Sequence, residues 1–232
     1  MTKTAVITGA ADGIGYELAL LLAADAYRLL LVDKDSEKLL HVQHTLEYRF
    51  GSIVESYVID LAVDGAAEQL FEHLKDMKVD VLINNAGFGV KGAFAETDWK
   101  QELALMQLHI ITLTRLTKLL LQKMLQVHEG KILNVASTAA FQPGPYMAVY
   151  YASKSFILSF TRAVAQEVKG SGVTLTALCP GPTKTNFQKI LGSDDSWLNR
   201  NKWLADADMV ARYGYNAMLK GKAVAIPGYI SG

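Results

Sequence analysis

"TAVITGAADGIG" (residues 4–15) carries a short branched run straight into a turn with glycines at positions 9, 13 and 15. "TAVIT" has the length and composition of a buried strand, and the residues from Gly13 onward read as a helix over 13–25. A strand that passes through glycines into a helix opens a βαβ unit. Glycine there makes the turn tight and lets backbone N–H groups approach an anion, which a helix N-terminus favours. A pyrophosphate suits such a turn. The spacing is T-G-x-x-x-G-x-G, whereas the general dinucleotide fingerprint begun at Gly13 would need glycine at position 18, which is Leu18. Taken alone, the stretch is also an ordinary glycine turn.

Outward from this junction, strand-like runs alternate with helical patterns. Strands are read at 4–8, 28–33, 53–60, 79–85, 131–137, 173–179 and 222–228. Helices fall near 13–25, 36–50, 64–77, 97–128, 148–169 and 207–220. Most of the strands are apolar on both faces, as in a parallel sheet covered on each side. The expectation is an α/β fold: a single-domain, Rossmann-type three-layer sandwich over 1–232, with about seven parallel strands and helices on both faces.

Composition narrows the partners. With 23 basic and 23 acidic residues the formal net charge is zero, so no electrostatic pull toward nucleic acid or an acidic membrane is expected. The one cysteine, Cys179, cannot form an internal disulfide and sits in "TLTALCP", a buried setting. The N-terminal apolar run reads as a strand rather than a signal segment, and no stretch is taken to span a membrane. The expected location is cytoplasmic. Surplus apolar surface on the helices at 97–128 and 148–169 suggests a homodimer or homotetramer. No metal ligands are assigned.

Three further sites qualify the glycine turn. Asp33 ends the second strand about 20 residues beyond it, where an acid can hold ribose hydroxyls and repel a 2′-phosphate. Position 11 is alanine and offers no basic contact to such a phosphate, although Lys34 remains close by. Asp60, at the end of the third strand, is a candidate adenine contact with Leu61 beside it. "NNAG" (84–87) ends the fourth strand, where ligands bind in open α/β sheets. In "VYYASK" (149–154), a helix puts Tyr150 one turn before Lys154 and aligns Tyr151 with Ser155. Of ten tyrosines only Tyr150 has a lysine four residues on, yet an exposed aromatic–lysine pair has the same spacing.

"TGAADGIG", Asp33, "NNAG", Ser137 in "NVAS", the Tyr150/Lys154 pair and "PGPTKT" (180–185) together resemble the short-chain dehydrogenase/reductase family in its compact single-domain branch. The resemblance runs from about residue 4 to 228. It implies hydride transfer between NAD(H) and a carbonyl or secondary alcohol. Tyr150 would be general acid or base, Lys154 would favour the phenolate and hold the nicotinamide ribose, and Ser137 would bind the substrate oxygen. It also implies cofactor contacts from Gly9, Asp12, Gly13, Ile14, Gly15, Asn85, Ala86, Gly87, Pro180, Gly181, Thr183 and Thr185. Asp33 makes NAD the expected cofactor, with NADP less favoured.

One position departs from the pattern. Where the family usually has an asparagine that supports a relay water, this chain has His109, and an altered proton relay is expected. Residues 186–206 are expected to form a substrate lid. Phe187, Ile190, Leu191, Trp197 and Trp203 there, with Phe88, Phe141 and Tyr146, suggest a mainly apolar carbonyl substrate. Two other classes stay open: an NAD-binding regulator in which His109 has ended turnover, and an epimerase or dehydratase with a similar tyrosine–lysine pair. For the latter the chain after Cys179 leaves little room for a larger substrate domain.

Overall fold

The computed structural model describes residues 2–187 and 204–228. Seven parallel strands form one sheet: β1 (Thr4–Thr8), β2 (Arg28–Asp33), β3 (Val54–Val58), β4 (Val81–Asn84), β5 (Gly130–Val135), β6 (Val173–Leu178) and β7 (Val224–Ala225). Their order is β3-β2-β1-β4-β5-β6-β7. The chain winds outward from β1 in one direction and then, from β4, in the other. A crevice therefore opens between the carboxyl ends of β1 and β4, where the connections diverge to opposite sides.

Helices α1 (Gly13–Ala24), α2 (Ser36–Phe50), α3 (Ala66–Leu74), α4 (Trp99–Met106), α5 (Leu113–Gln126), α6 (Ala148–Glu167) and α7 (Ala207–Leu219) cover the sheet. Alternation within the strands supplies both layers. In β1, Ala5 and Ile7 face a core shared with Leu18 and Leu22 of α1 and Val210 and Met218 of α7. Val6 faces the opposite core, with Leu70 of α3 and Leu116 and Leu120 of α5. A strand buried on both faces has no room for the polar half of an alternating pattern, which is why these runs are continuously apolar.

The long helix expected over 97–128 is not uniform. Gln107–Thr112 forms a π-helical turn between α4 and α5. The wider turn carries an extra residue without ending the helix, and both His109 and Thr112 are buried within it. Thr112 Oγ1 donates to the Leu61 carbonyl at 2.9 Å, tying this turn to the chain after β3.

Trp99–Gln126 as a whole is long and apolar enough, by length and composition, to cross a membrane. That differs from the expectation that no stretch qualifies. Leu105, Leu113, Leu116, Leu120 and Met124 are buried against the rest of this chain, whereas Trp99, Leu103 and Ile111 of the same stretch are exposed. Most of the expected lid, including Ile190, Leu191, Trp197 and Trp203, lies outside the described residues.

Candidate active site

A cavity of about 700 Å³ follows the carboxyl ends of the strands. At one end lie Gly9, Asp12, Gly13 and Ile14 of the β1–α1 turn, with Asp33, Asp60 and Leu61. Asn85, Ala86 and Gly87 line the middle. Ser137, Tyr150 and Lys154 lie beyond, bordered by Pro180, Gly181, Thr183 and Thr185. Phe88 and Phe187 complete the apolar end. Residues more than 170 positions apart thus meet on one wall because every strand ends on the same side of the sheet.

The glycine turn is shaped by contact. A Cβ on Gly15 would lie 2.1 Å from the Gly9 carbonyl oxygen, so only glycine lets α1 begin this close to the strand. Gly15 itself is not on the cavity wall; it packs the helix onto the turn. Asp12 caps α1 and faces the cavity. Asp33 accepts from the Ala11 N–H at 3.2 Å and from the Asp35 N–H at 3.1 Å. Those bonds hold its carboxylate at the cavity lip, and each oxygen retains acceptor capacity for a hydroxyl.

Asn85 braces the two halves. Its side-chain amide donates to the Thr8 carbonyl at 3.1 Å and the Gly9 carbonyl at 2.9 Å. The N–H groups of Asn85 and Ala86 both donate to Thr8 Oγ1, at 3.0 and 3.1 Å. Beneath them runs a buried polar ladder. Asn84 Nδ2 donates to Thr117 Oγ1 at 3.0 Å and to Asn134 Oδ1 at 2.9 Å, and Asn134 Nδ2 donates to Thr161 Oγ1 at 2.9 Å. The ladder joins α5, β4, β5 and α6, and every amide in it is partnered. Thr8, Asn134, Thr117 and Thr161 were not anticipated from the sequence. Polar residues inside otherwise apolar runs were the available signal.

Ser137 lies just past β5, not in it, and starts a 3₁₀ turn over Thr138–Phe141 by accepting from the Ala139 N–H at 3.1 Å. Its hydroxyl donates to the Pro180 carbonyl at 3.3 Å. Tyr150 and Lys154 are both buried on one face of α6. The Lys154 ammonium donates to the Val135 carbonyl at 2.9 Å and stands 5.7 Å from the Tyr150 ring centre.

Burial dominates the protonation of this pair. It pushes the Tyr150 phenol up to about 12, opposed by the Ser137 hydroxyl, and brings the Lys154 amine down to about 8. The sequence led us to expect the lysine to lower the tyrosine. In the protein without cofactor, desolvation by burial prevails and the phenol is raised instead. The phenol is therefore protonated at neutral pH in the protein without cofactor.

His109 is 1% exposed and lies behind the cavity wall rather than on it. The Phe88 N–H donates to its Nε2 at 3.3 Å, so Nε2 is the unprotonated nitrogen. Nδ1 then carries the proton and donates to Ser153 Oγ at 2.9 Å. Burial, reinforced by the Lys154 ammonium, holds the imidazole well below its usual pKa.

Two expected substrate contacts are not brought to the site. Phe141 is 55% exposed and Tyr146 67% exposed, and neither lines the cavity. Tyr146 adopts φ +64°, and its carbonyl accepts from the Gly92 N–H at 2.9 Å, so the loop turns its ring outward. Gln142, Met147 and Tyr151 occupy that wall instead. Tyr151 packs edge-on to Tyr150 with ring centres 6.0 Å apart, and Phe187 lies 5.4 Å from Tyr150.

These residues fit a nicotinamide dinucleotide. The backbone turn at Gly9 and Gly13 with the capped N-terminus of α1 suits its pyrophosphate, and the buried Tyr150–Lys154 pair suits its reactive end. The chain resembles known proteins in the same sense. It is 31% identical over 196 residues to the 17-beta-hydroxysteroid dehydrogenase type 3 of Mus musculus, covering 83% of this chain and 64% of that protein. A short-chain dehydrogenase from Sphingobium yanoikuyae in complex with NADPH superposes with a TM-score of 0.92 at 28% identity, over 98% of this chain and 88% of the other. One from Burkholderia phymatum in complex with NAD gives 0.87 at 25% identity, over 97% and 88%. The chain thus spans less than two thirds of the mouse relative but most of both solved structures. Residues 3–196 match the family model for short chain dehydrogenases, and the chain belongs to that family of oxidoreductases.

Proposed function

We propose that this chain is an NAD(H)-dependent oxidoreductase that interconverts a mainly apolar carbonyl compound and its secondary alcohol, with Tyr150 as general acid and base. The observation that carries the reading is one continuous cavity joining Asp33 at one end to Ser137, Tyr150 and Lys154 at the other. A bound nicotinamide supplies or accepts the hydride.

The chain's own residues do the rest. Ser137 orients the substrate oxygen by hydrogen bonding and stabilises charge that develops on it. In reduction, Tyr150 transfers its phenolic proton to that oxygen. In oxidation, its phenolate takes the alcohol proton, helped by the Lys154 ammonium and by an oxidised cofactor's positive charge. Phe88, Met147 and Phe187 exclude water and favour an apolar body next to the carbonyl. The mouse relative acts, by its name, on a hydroxysteroid, a rigid apolar alcohol that suits such walls.

Asp33 supports NAD over NADP, since a 2′-phosphate beside its carboxylate is repelled. Lys34 and Lys38 also line that end, but Lys38 Nζ is paired with Asp35 at 3.0 Å. The outward-facing Trp99, Leu103 and Ile111, 60%, 51% and 54% exposed, support assembly as a homodimer or homotetramer.

Fluorescence titration with NADH and NADPH, then a ketone panel on wild type and Tyr150→Phe, tests the proposal. Tighter NADH binding with turnover that Tyr150→Phe abolishes is expected, and failure to bind either nucleotide overturns it. One observation favours a second reading, an NAD-binding regulator: both His109 nitrogens are already bonded within the protein. NADH binding with no turnover of any ketone would establish that alternative.

A further inference from the structure

We propose that His109 is a neutral clamp that positions Phe88 and Tyr150 relative to one another, and that it carries no proton in turnover; its catalytic meaning rests on the oxidoreductase reading above. The ring bridges two elements that approach the reacting centre from opposite sides. On one side it accepts the N–H of Phe88, the first residue after the "NNAG" segment, whose ring walls the substrate end. On the other it donates to Ser153, whose hydroxyl donates to the Tyr150 carbonyl at 2.7 Å. The bonds form one directed chain, Phe88 N–H to His109 to Ser153 to the Tyr150 carbonyl. Each step fixes the direction of the next, so the tautomer is set by the partners at both ends.

Contacts of the ring match that role. Its centre lies 6.2 Å from the Phe88 ring and 6.0 Å from the Tyr150 ring, the latter edge-on. A Cβ on Gly87 would lie 2.7 Å from His109 Nε2, so glycine at 87 is what admits a histidine at 109. The π-helical turn at Gln107–Thr112 places the imidazole between the two segments.

A relay needs a nitrogen that can accept one proton and release another. Here Nε2 is occupied by a backbone N–H that has no proton to transfer, and Nδ1 already donates. Protonating Nε2 would set N–H against N–H and leave a buried cation close to the Lys154 ammonium. Among the described residues, Tyr150 and Lys154, both on α6, are titratable groups beside the ring. Neither offers a negative charge at neutral pH to hold an imidazolium.

The test joins spectroscopy to kinetics. Long-range ¹H–¹⁵N spectra of ¹⁵N-histidine-labelled, cofactor-free protein, with the His109 signal identified by its loss in His109→Asn, should show an Nδ1-protonated ring unchanged from pH 5.5 to 8.5. A midpoint within that range, or an Nε2-protonated ring, overturns the clamp whether or not any substrate is ever turned over. On a substrate found in the panel, His109→Asn and Ser153→Ala should each lower kcat roughly ten- to a hundredfold through misalignment. KM for NADH should change little. The double variant should lose no more than the worse single one, because both substitutions cut the same chain of bonds. Wild type and His109→Asn should share the shape of their pH profiles. A limb present in wild type and absent in His109→Asn would assign His109 to the relay and overturn the clamp.

Discussion

The two ends of the cavity are built by different means. The nucleotide end is mostly backbone: a glycine turn, a helix N-terminus and one carboxylate held by two N–H groups. The reactive end is mostly buried side chain: Tyr150, Lys154, His109, Ser153 and the ladder of Asn84, Asn134, Thr117 and Thr161. Backbone geometry at a turn is a local property, and a substitution there acts through space and conformation. Buried polar groups each need a partner, so a substitution there propagates to whatever is left unpaired. The first end should fail mainly on steric change; the second should fail on the loss of a hydrogen-bond partner as well as on crowding.

The largest expected effect is Tyr150→Phe. It keeps the ring and removes the proposed acid, so kcat should fall by about 10²–10⁴-fold with NADH affinity nearly unchanged. A comparable loss of NADH binding in the fluorescence titration would show that the two ends are not separable.

Next comes pH. In the proposed mechanism oxidation needs the phenolate, and burial holds the phenol up at about 12 before the cofactor arrives. Alcohol oxidation should therefore rise with pH, by about tenfold per unit while the phenol remains mostly protonated. Carbonyl reduction should stay level from pH 6 to 8, since the acid is already present. Initial rates in both directions over that range decide it; an oxidation rate independent of pH would remove Tyr150 as the base.

Within the reactive end, Asn134→Ala removes the ladder's centre and takes one hydrogen-bond partner from each of Asn84 and Thr161. A loss of about 1–3 kcal/mol is expected in urea unfolding. Gly87→Ala drives a Cβ toward His109 Nε2 and should cost a similar ~1–3 kcal/mol. Adding His109→Asn should return part of that loss, because the colliding ring is gone. Additive losses in the double variant would mean that the two residues do not meet.

The smallest effect belongs to the nucleotide end. Asp33→Ser removes the charge but keeps a hydrogen-bonding group. It should move the NADPH-to-NADH preference by roughly tenfold toward NADPH, about 1.4 kcal/mol, in paired titrations. An unchanged ratio would place the cofactor choice elsewhere, with Lys34 the first residue to substitute.

The contrast between the ends also explains what could be read in advance. Strand and helix order, the glycine turn, Asp33 and the Tyr150–Lys154 pair are short-range patterns, and each falls where the spacing puts it. The errors cluster in loops and in long-range contacts. Phe141 and Tyr146 looked like substrate walls by type, but the direction of a loop side chain depends on backbone angles such as the +64° φ at Tyr146. Gln142 and Met147, less conspicuous by type, face the cavity.

His109 shows the same division. Its place in the family pattern was legible, but its chemistry was not, because its partners Phe88 and Ser153 lie 21 and 44 residues away. The depression of the Lys154 amine and the elevation of the Tyr150 phenol likewise arise from burial that no local spacing encodes. What the sequence by itself determined was the βαβ winding and the residue types at the strand ends, since periodicity and turn chemistry act over a few residues. The tertiary structure alone decided which of those residues are dry, which nitrogens are already bonded and which rings face the cavity, because desolvation and hydrogen-bond partnership exist only once distant segments have packed.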